Sequence, residues 1–293
     1  MMRVGLVGTG MLGTAVGLHL LEKGIEIIAQ NRTKQKTKSL EDKGAQVVDY
    51  PKDVASQCDL VVTCVKDADA VKEVSFGENG IINGKHEGLV VCDMSTINPL
   101  SSKDIAKEFL ENGIMMLGIP VMGGPNVAIK GELVMMADGD KQSFEKFKSI
   151  FDIIANKVFY LGENGTAHSI KLAMNLQIAM LAMSLSEGIT LARGASVEPK
   201  VFLEILNSTY FKTGMSENKA YKMIDDKFEP TFLLKNLKKD LHTINESAES
   251  FDLKLPMSTL AEEIYQKAID DGFGDLDYTG ILAYLKKSTK TEN

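Results

Sequence analysis

Apolar residues follow two different patterns along the chain, and the change between them falls near residue 162. Before that point, short apolar runs alternate with helical periodicity, and after it the periodicity is helical throughout. The first pattern predicts strands at 3–7, 25–30, 45–48, 58–65, 87–93, 114–118, 133–137 and 158–161. The second predicts helices at 201–206, 211–224, 231–251, 257–271 and 276–287, with Pro199, Pro230 and Pro256 between them. We therefore expect a Rossmann-type, doubly wound, mostly parallel sheet domain over 1–162 and an all-α domain over 163–293.

A long stretch without proline, 162–194, joins the two patterns and predicts a long central helix. One of its faces is apolar, comprising Ile170, Met174, Ile178, Leu181, Leu185 and Ile189, and a second comprises Leu172, Leu176, Ala179 and Met183. Its longest apolar run is too short for a bilayer, so we expect it in a soluble core. Lys171 and Asn175 are four residues apart and share a face. Buried, they need polar partners, which could be a salt bridge, a carbonyl, a water or a reacting substrate.

A glycine-rich turn follows the first strand: Gly8, Gly10 and Gly13, with Met11 and Leu12 between the last two. A strand, this turn, a helix and a second strand within about thirty residues are typical of dinucleotide binding. The first glycine permits the tight turn, the second lets a pyrophosphate approach the backbone, and the third lets helix and strand pack closely. The helix N-terminus favours the anion. The alternative is a tight turn that binds nothing.

The end of the second strand indicates which dinucleotide binds. An acidic residue there would bind a ribose 2′-hydroxyl, whereas this chain has Asn31, Arg32 and Thr33. An amide, a guanidinium and a hydroxyl suit a 2′-phosphate, so we predict NADP(H). The alternative is a solvated basic start of a helix.

Further candidate residues follow later strands. Val65 and Lys66 end one apolar run, and Ser95 and Thr96 follow another, where ligands bind in doubly wound sheets. Capping of the helix before Pro99 would explain the two hydroxyls equally well. The loop 120–125 has two prolines around Met122, Gly123 and Gly124, and its exposed amides suit a carboxylate, although a plain turn is equally compatible.

Composition narrows the class of partner. The net charge of −7 argues against a nucleic-acid surface. The three cysteines, Cys58, Cys64 and Cys92, are odd in number and lack CxxC spacing, so neither a disulfide framework nor a metal site follows. Cys64 and Cys92 end apolar runs, which favours buried reduced thiols there. The chain begins with a strand, without a visible signal peptide. We therefore expect a cytoplasmic protein that binds neither nucleic acid nor membrane.

Several segments in order resemble the β-hydroxyacid dehydrogenases: GTGMLG, NRT, DMSTINP, PVMGG, GENGTAHSIKLAMN and FLLKNLKKDL. That family includes 3-hydroxyisobutyrate dehydrogenase, tartronate semialdehyde reductase and the glyoxylate/succinic semialdehyde reductases. The resemblance covers nearly the whole chain, and the NRT segment is closer to the NADP-using, semialdehyde-reducing branch.

The resemblance implies a role for each matching residue. Lys171 matches the catalytic lysine, Asn175 the amide that orients substrate, and Thr96, next to Ser95, a position beside the nicotinamide ribose. Gly123 and Gly124 match backbone donors to the substrate carboxylate. Lys239 matches a lysine that reaches the cofactor, with Phe232 and Asp240 in the same signature. Met122 departs from the family, which usually has serine there, so a hydroxyl donor is lost and a bulky thioether enters.

Together these observations predict hydride transfer between NADPH and a short acid bearing an aldehyde or 2-oxo group, with Lys171 as general acid and base. Burial and a nearby helix N-terminus should lower the pKa of the lysine. For His168 we favour a partly exposed residue at the helix start over a source of positive charge beside Lys171. Oxidation of a β-hydroxyacid, an imine reductase and a non-catalytic NADP-binding scaffold are the alternatives. The apolar central helix and the resemblance together predict a homodimer or homotetramer.

Overall fold

The computed structural model describes residues 2–290, which form two compact units that divide after Leu172. The first unit contains a nine-stranded sheet. Its strands are β1 Arg3–Val7, β2 Glu26–Gln30, β3 Gln46–Val47, β4 Leu60–Thr63, β5 Val90–Asp93, β6 Met115–Gly118, β7 Val121–Met122, β8 Leu133–Gly139 and β9 Ala155–Tyr160. The order is β3-β2-β1-β4-β5-β6-β8-β7, with β9 paired to β8. Strands β1 to β6 are parallel, and β8 runs antiparallel to β6 and β7. The prediction of a mostly parallel, doubly wound sheet is confirmed.

Helices cover both faces of this sheet. They are α1 Met11–Glu22, α2 Lys38–Glu41, α3 Pro51–Ala55, α4 Ala68–Phe76, α5 Pro99–Glu111, α6 Pro125–Ala128 and α7 Lys141–Ile154. Alternate strand residues point to opposite faces, so each strand contributes to two cores. Leu6, Val62 and Cys92 pack with α1 and α7, whereas Val61 and Val91 pack with α3 and α5. Burial on both faces explains why these strands are continuous apolar runs.

The long helix α8, Thr166–Gly194, begins in the first unit and continues into the second. Its start is bound to the sheet, since the Ala167 N–H donates to Asp138 Oδ2 at 2.8 Å. By length and composition α8 could cross a membrane, contrary to the estimate from its longest apolar run. Core helices of soluble proteins pass the same test, and Ala179, Ala182 and Ile189 are buried within this chain.

One face of α8 is less buried than its periodicity predicts. Ile170, Met174 and Leu181 are 43%, 42% and 38% exposed, whereas Leu185 and Ile189 are buried. This face of α8 is therefore only partly covered within the chain. Periodicity identifies an apolar face but does not say what covers it.

The second unit is helical, as predicted. After α8 it contains α9 Pro199–Asn207, α10 Gly214–Asn218, α11 Ala220–Ile224, α12 Leu234–Ser250, α13 Pro256–Asp270 and α14 Ile281–Lys290. Leu185 and Ile189 pack with Leu203, Met223 and Leu282 in its core.

The single helix predicted over 211–224 is wrong. The chain forms two short helices, because Thr213 and Ser216 cap the first by reciprocal hydrogen bonds and Lys219 separates them. The side-chain amine of Lys219 donates to the Thr231 hydroxyl and to Asp277.

Candidate active site

The candidate residues of the first unit follow the carboxyl ends of neighbouring strands. Gly8 follows β1, Val65 follows β4, and Ser95 and Thr96 follow β5. Because β1, β4 and β5 are adjacent and parallel, these positions lie along one edge of the sheet. This is the edge at which doubly wound sheets bind ligands.

The glycine turn has the geometry that its spacing predicts. Gly8 has φ +98°, a conformation that favours glycine, and a Cβ there would lie 2.3 Å from the Cys64 carbonyl oxygen. A Cβ at Gly13 would lie 2.3 Å from the Gly8 carbonyl oxygen, so only glycine lets α1 pack this closely. A Cβ at Gly10 would meet nothing within 4 Å, which leaves open space beside the backbone.

The turn fits the phosphates of a dinucleotide. The open side at Gly10 adjoins the N-terminus of α1, whose first N–H groups favour an anion. The Thr9 hydroxyl is buried and has no hydrogen-bond partner among the described residues. Met11 is exposed and Leu12 half-buried at the start of the helix.

The segment after β2 is held against this turn by Asn31. Its Oδ1 accepts a hydrogen bond from the Thr9 N–H at 3.0 Å, and its Nδ2 donates to the Thr33 carbonyl at 3.0 Å. Asn31 therefore shapes the segment, and Arg32 and Thr33 are both exposed. This structural role for the amide was not part of the prediction.

At the neighbouring strand ends, Ser95 is buried and links β4 to β5. Its hydroxyl accepts from the Val65 N–H at 3.0 Å, and its own N–H donates to Asp93 Oδ1 at 3.2 Å. Thr96 is half-buried, and Lys66 is exposed in an ion pair with Asp67. Asn98, not Ser95 or Thr96, caps α5 by accepting from the Leu100 N–H, so capping does not explain the two hydroxyls.

Lys171 is half-buried and its amine is directed to the end of β7. Nζ donates to the Val121 carbonyl at 2.8 Å and lies 3.4 Å from Met122 Sδ. The polar partner expected of a lysine here is therefore at least in part a carbonyl. Beyond Met122 the chain turns at Gly123, with φ +122°, and Gly124 precedes α6.

Beneath the start of α8, three ionisable side chains are buried together: Asp93, Asp138 and His168. His168 Nε2 lies 3.3 Å from Asp93 Oδ2, and Asp138 Oδ1 accepts from the Gly118 N–H at 2.9 Å. Burial raises the pKa of Asp138, although the charge of His168 and three backbone N–H groups oppose this. The expectation of a partly exposed His168 is wrong, since the residue is fully buried. The two aspartates end apolar runs, and that was the available signal for the cluster.

The other predicted residues belong to the second unit. Asn175 is buried, and its Nδ2 donates to Asp240 Oδ2 at 2.6 Å, while its Oδ1 has no partner among the described residues. Lys239 Nζ lies 2.5 Å from Asp240 Oδ1. Asp240 thus links Asn175 and Lys239. Phe232 is half-buried, with its ring 6.0 Å from that of Tyr278.

The cysteines are free thiols, as expected. Cys58 and Cys92 are buried, whereas Cys64 is half-buried as a residue. Burial raises the pKa of Cys58 and of Cys64 to about 12 and that of Cys92 well above its ordinary value. Thiols with such pKa values are poor nucleophiles at neutral pH.

Comparison with known proteins identifies the family. Residues 3–162 match the NAD binding domain of 6-phosphogluconate dehydrogenase, and residues 165–285 match the NAD-binding region of NADP-dependent 3-hydroxyisobutyrate dehydrogenase. The chain belongs to the β-hydroxyacid dehydrogenase family. As a β-hydroxyacid dehydrogenase it is an oxidoreductase that binds NAD(P) through its Rossmann-like domain.

Two relatives and a solved structure are similar to this chain over nearly its whole length. Glyoxylate/succinic semialdehyde reductase 1 of Arabidopsis thaliana is 30% identical over 98% of this chain and 99% of its own. The chloroplastic reductase 2 of the same plant is 31% identical over 99% of this chain and 81% of its own. The crystal structure of 3-hydroxyisobutyrate dehydrogenase from Salmonella typhimurium has a TM-score of 0.88 at 24% identity, covering 97% of this chain and all of that one. It shares the fold of this β-hydroxyacid dehydrogenase.

Proposed function

We propose that the protein is an NADP(H)-dependent reductase that interconverts a short-chain semialdehyde, or a 2-oxo acid, with its hydroxy acid. Lys171 is the general acid in reduction and the general base in oxidation. The observation that carries the proposal is the half-buried Lys171 amine beside Val121 and Met122, on a helix whose start is bound to the carboxyl edge of the nucleotide-binding sheet. The activity for which the two Arabidopsis relatives are named supports the substrate class.

The side chains of this protein would supply the proton and the orientation. When bound, the reduced cofactor would supply the hydride. The Lys171 ammonium donates one proton to the oxygen that becomes negatively charged, and the amine is left neutral. The backbone of Gly123 and Gly124 would hold the substrate carboxylate, Ser95 would lie on the substrate side, and Thr96 would lie beside the nicotinamide ribose. Asn175, Phe232 and Lys239 complete the proposed set.

The preference for NADP(H) is supported by the end of β2. No carboxylate follows Gln30 there, and the exposed Arg32 and Thr33 offer a guanidinium and a hydroxyl to a 2′-phosphate. Equal binding of NADH and NADPH at matched ionic strength would contradict this part of the proposal. Fluorescence titration of the purified protein with each nucleotide gives the comparison.

The substrate class is tested by NADPH consumption with glyoxylate and with succinic, methylmalonate, malonate and tartronate semialdehydes. We expect turnover with at least one of them. Cyclic imines form the opposing panel, because their reduction would indicate an imine reductase. Oxidation of no nucleotide with either panel would favour a non-catalytic scaffold and overturn the proposal.

Lys171→Met tests the role of the amine. The variant keeps an unbranched side chain but has no proton to give, so turnover should fall by about 10²- to 10⁴-fold, the usual worth of general acid catalysis. NADPH affinity should stay close to that of the wild type. Lys141→Met, at an exposed lysine at the start of α7, is the matched control. Near-normal turnover of Lys171→Met would remove this residue from the mechanism.

We also propose that the chain forms a homodimer or homotetramer. Support comes from the exposed apolar residues Ile170, Met174 and Leu181 on α8. Contiguous apolar surface of this kind is typical of interaction sites.

A further inference from the structure

An ion pair between Lys219 and Asp277 joins three separate segments of the second unit. Lys219 lies between α10 and α11, Thr231 shortly precedes α12, and Asp277 shortly precedes α14. The Lys219 amine donates to Asp277 Oδ1 at 2.9 Å and to the Thr231 hydroxyl at 2.8 Å. Asp277 is buried and Lys219 half-buried. The stretch before α12 is therefore held by side chains from two other parts of the chain.

The ion pair and its neighbour Tyr278 hold the backbone of Phe232 on both sides. Asp277 Oδ2 accepts from the Thr231 N–H at 3.0 Å and from the Thr231 hydroxyl at 2.8 Å. The Phe232 N–H donates to the same oxygen at 3.4 Å. The Phe232 carbonyl accepts from the Tyr278 N–H at 2.9 Å. Both polar groups of the Phe232 backbone are thus bound to the segment that begins at Asp277.

The side chains around Phe232 depend on the same amine. Lys219 Nζ lies 4.1 Å from the centre of the Tyr278 ring, within the range of a cation–π contact. The centre of the Tyr278 ring lies 6.0 Å from that of Phe232, with an angle of 60° between the two planes. The position of the Phe232 ring is therefore connected to Lys219 through side chains as well as through the backbone.

Net stability alone is a poor reason for a charged pair at this place. Removing two charges from water is costly, and apolar side chains of similar volume often stabilise a buried site equally well. Apolar side chains cannot, however, accept hydrogen bonds from the N–H groups of Thr231 and Phe232. A carboxylate with several fixed donors determines the direction of this stretch, which packing alone would leave less defined.

We propose that Lys219 and Asp277 are positioning residues for the cofactor: with Thr231 they fix Phe232 so that its ring is in place to contact NADP(H) when the cofactor binds. The inference rests on the proposed function, in which Phe232 is one of the residues that bind the cofactor. Neither charged side chain has to contact the cofactor itself. Their effect on cofactor affinity should therefore depend on the phenyl ring.

A double-mutant cycle on NADPH affinity tests this dependence. Fluorescence titration gives the dissociation constant of NADPH for the wild type, Lys219→Met, Phe232→Ala and the variant that carries both changes. Phe232→Ala should raise the constant by about tenfold, the upper end of what one aromatic contact contributes. Lys219→Met keeps an unbranched side chain but loses the charge, and should raise it by about threefold or more, as part of that contact is lost. The double variant should bind no more weakly than Phe232→Ala, whereas independent effects would multiply.

Two further variants keep the test decisive. Lys287→Met is the matched control, because Lys287 forms an exposed ion pair with Asp271 at 3.1 Å in the same unit, and it should bind NADPH like the wild type. Thr231→Val removes the hydroxyl that bonds to both charges and leaves both charges in place, so it replaces Lys219→Met in the cycle if that variant does not fold.

Three results would overturn the proposal. The first is normal NADPH affinity in Phe232→Ala, and the second is normal affinity in Lys219→Met or, if that variant does not fold, in Thr231→Val. The third is a cycle in which the two effects multiply, because the ion pair would then act on affinity by a route other than the phenyl ring.

Failure of the proposed function has a different signature. A wild type that binds NADPH but reduces no carbonyl compound would remove the reductase, while the binding cycle would still report on Phe232. A wild type that binds no NADPH would remove both. In an active enzyme, Lys219→Met should raise the KM for NADPH more than it lowers kcat, since Lys171 and its partners Val121 and Met122 belong to the first unit. A purely structural role would lower the melting temperature without this split.

Discussion

Met122 lies beside the amine on which the proposed chemistry depends, with Sδ 3.4 Å from Lys171 Nζ. A carbonyl group bound to Lys171 would therefore contact a thioether where the family usually has a hydroxyl. An apolar wall favours an alkyl substituent on the substrate, whereas a hydroxyl favours a polar one.

Met122→Ser should change the choice of substrate more than the rate. The ratio of kcat/KM for tartronate semialdehyde to that for methylmalonate semialdehyde should rise by about tenfold, within the range of a single pocket contact. Met115→Ser, at an exposed methionine at the start of β6, is the control and should leave the ratio unchanged. A ratio unaffected by Met122→Ser would show that the thioether does not contact the substrate.

Individual residues also show how far the sequence could predict this site. The glycines of the turn were predictable because each has a local reason that spacing reveals. His168 was not, because its burial depends on Asp93 and Asp138, which are 75 and 30 residues away in the chain. The pairing of Asn175 with Asp240 was hidden for the same reason: helical periodicity indicates a face but not its partner.

At the scale of elements, two glycines of the same turn have different roles. Gly13 is needed for the packing of α1, whereas Gly10 leaves space for the proposed cofactor. Gly13→Ala would place a methyl group 2.3 Å from the Gly8 carbonyl oxygen, so α1 must move and the protein should lose stability. Gly10→Ala meets nothing within 4 Å and its φ of −68° suits alanine, so the melting temperature should stay near that of the wild type. The added methyl would occupy the proposed approach of the pyrophosphate, so NADPH affinity should fall by at least tenfold. A Gly10→Ala protein that binds NADPH normally would contradict this placement of the cofactor. Calorimetry of both variants gives melting and binding together.

In the second unit, Asp277 holds the segment before α12. Its carboxylate accepts from Lys219 Nζ at 2.9 Å, the Thr231 N–H at 3.0 Å and the Thr279 hydroxyl at 2.8 Å. Burial acts to raise the pKa of Asp277, but these donors outweigh it and hold the pKa below its ordinary value. Burial lowers the pKa of Lys219. Lysines titrate at alkaline pH, so this shift does not change how stability depends on pH in the acid range.

The lowered pKa of Asp277 decides how the stability of the protein changes with pH. The carboxylate contributes stability above the unfolded pKa of about 3.9, and the contribution is lost as the pH falls through the lower folded value. Asp277→Asn should lower the free energy of unfolding by about 3 kcal/mol at pH 7, since it leaves Lys219 partly buried without its counter-ion. Urea unfolding should show the difference between variant and wild type shrinking below about pH 4. A difference independent of pH would mean that the carboxylate charge is not what stabilises this segment.

Most elements were predictable because their apolar patterns are long and regular, as in β1, α7 and α12. The split of 211–224 into α10 and α11 was not, because it is a local distortion at Lys219, with φ −109° and ψ −31°, whose amine bonds to Thr231 and Asp277. A contact with residue 277 leaves no trace in the periodicity of residues 211–224.

At the scale of the whole molecule, the exposed face of α8 is the main departure from a self-contained core. Ile170, Met174 and Leu181 are spaced so that they share one side of the helix, and each is more than a third exposed. On α9, Val201 and Ile205 form a second exposed apolar pair. A stable protein interface buries about 800 Å² on each partner, so these residues would form part of such an interface together with their neighbours.

The predicted homodimer or homotetramer follows from this surface. It can be tested by a substitution that introduces one charged side chain. Light scattering of the wild type should give two or four times the chain mass of 32.0 kDa. Leu181→Glu should shift the mass towards one chain, because a carboxylate buried in an apolar contact has no counter-charge there. Leu110→Glu, at an exposed leucine on α5, adds the same charge elsewhere and should leave the mass unchanged. A wild-type mass of one chain would mean that α8 keeps its apolar face in contact with water, and the exposed leucine would then need another explanation than self-association.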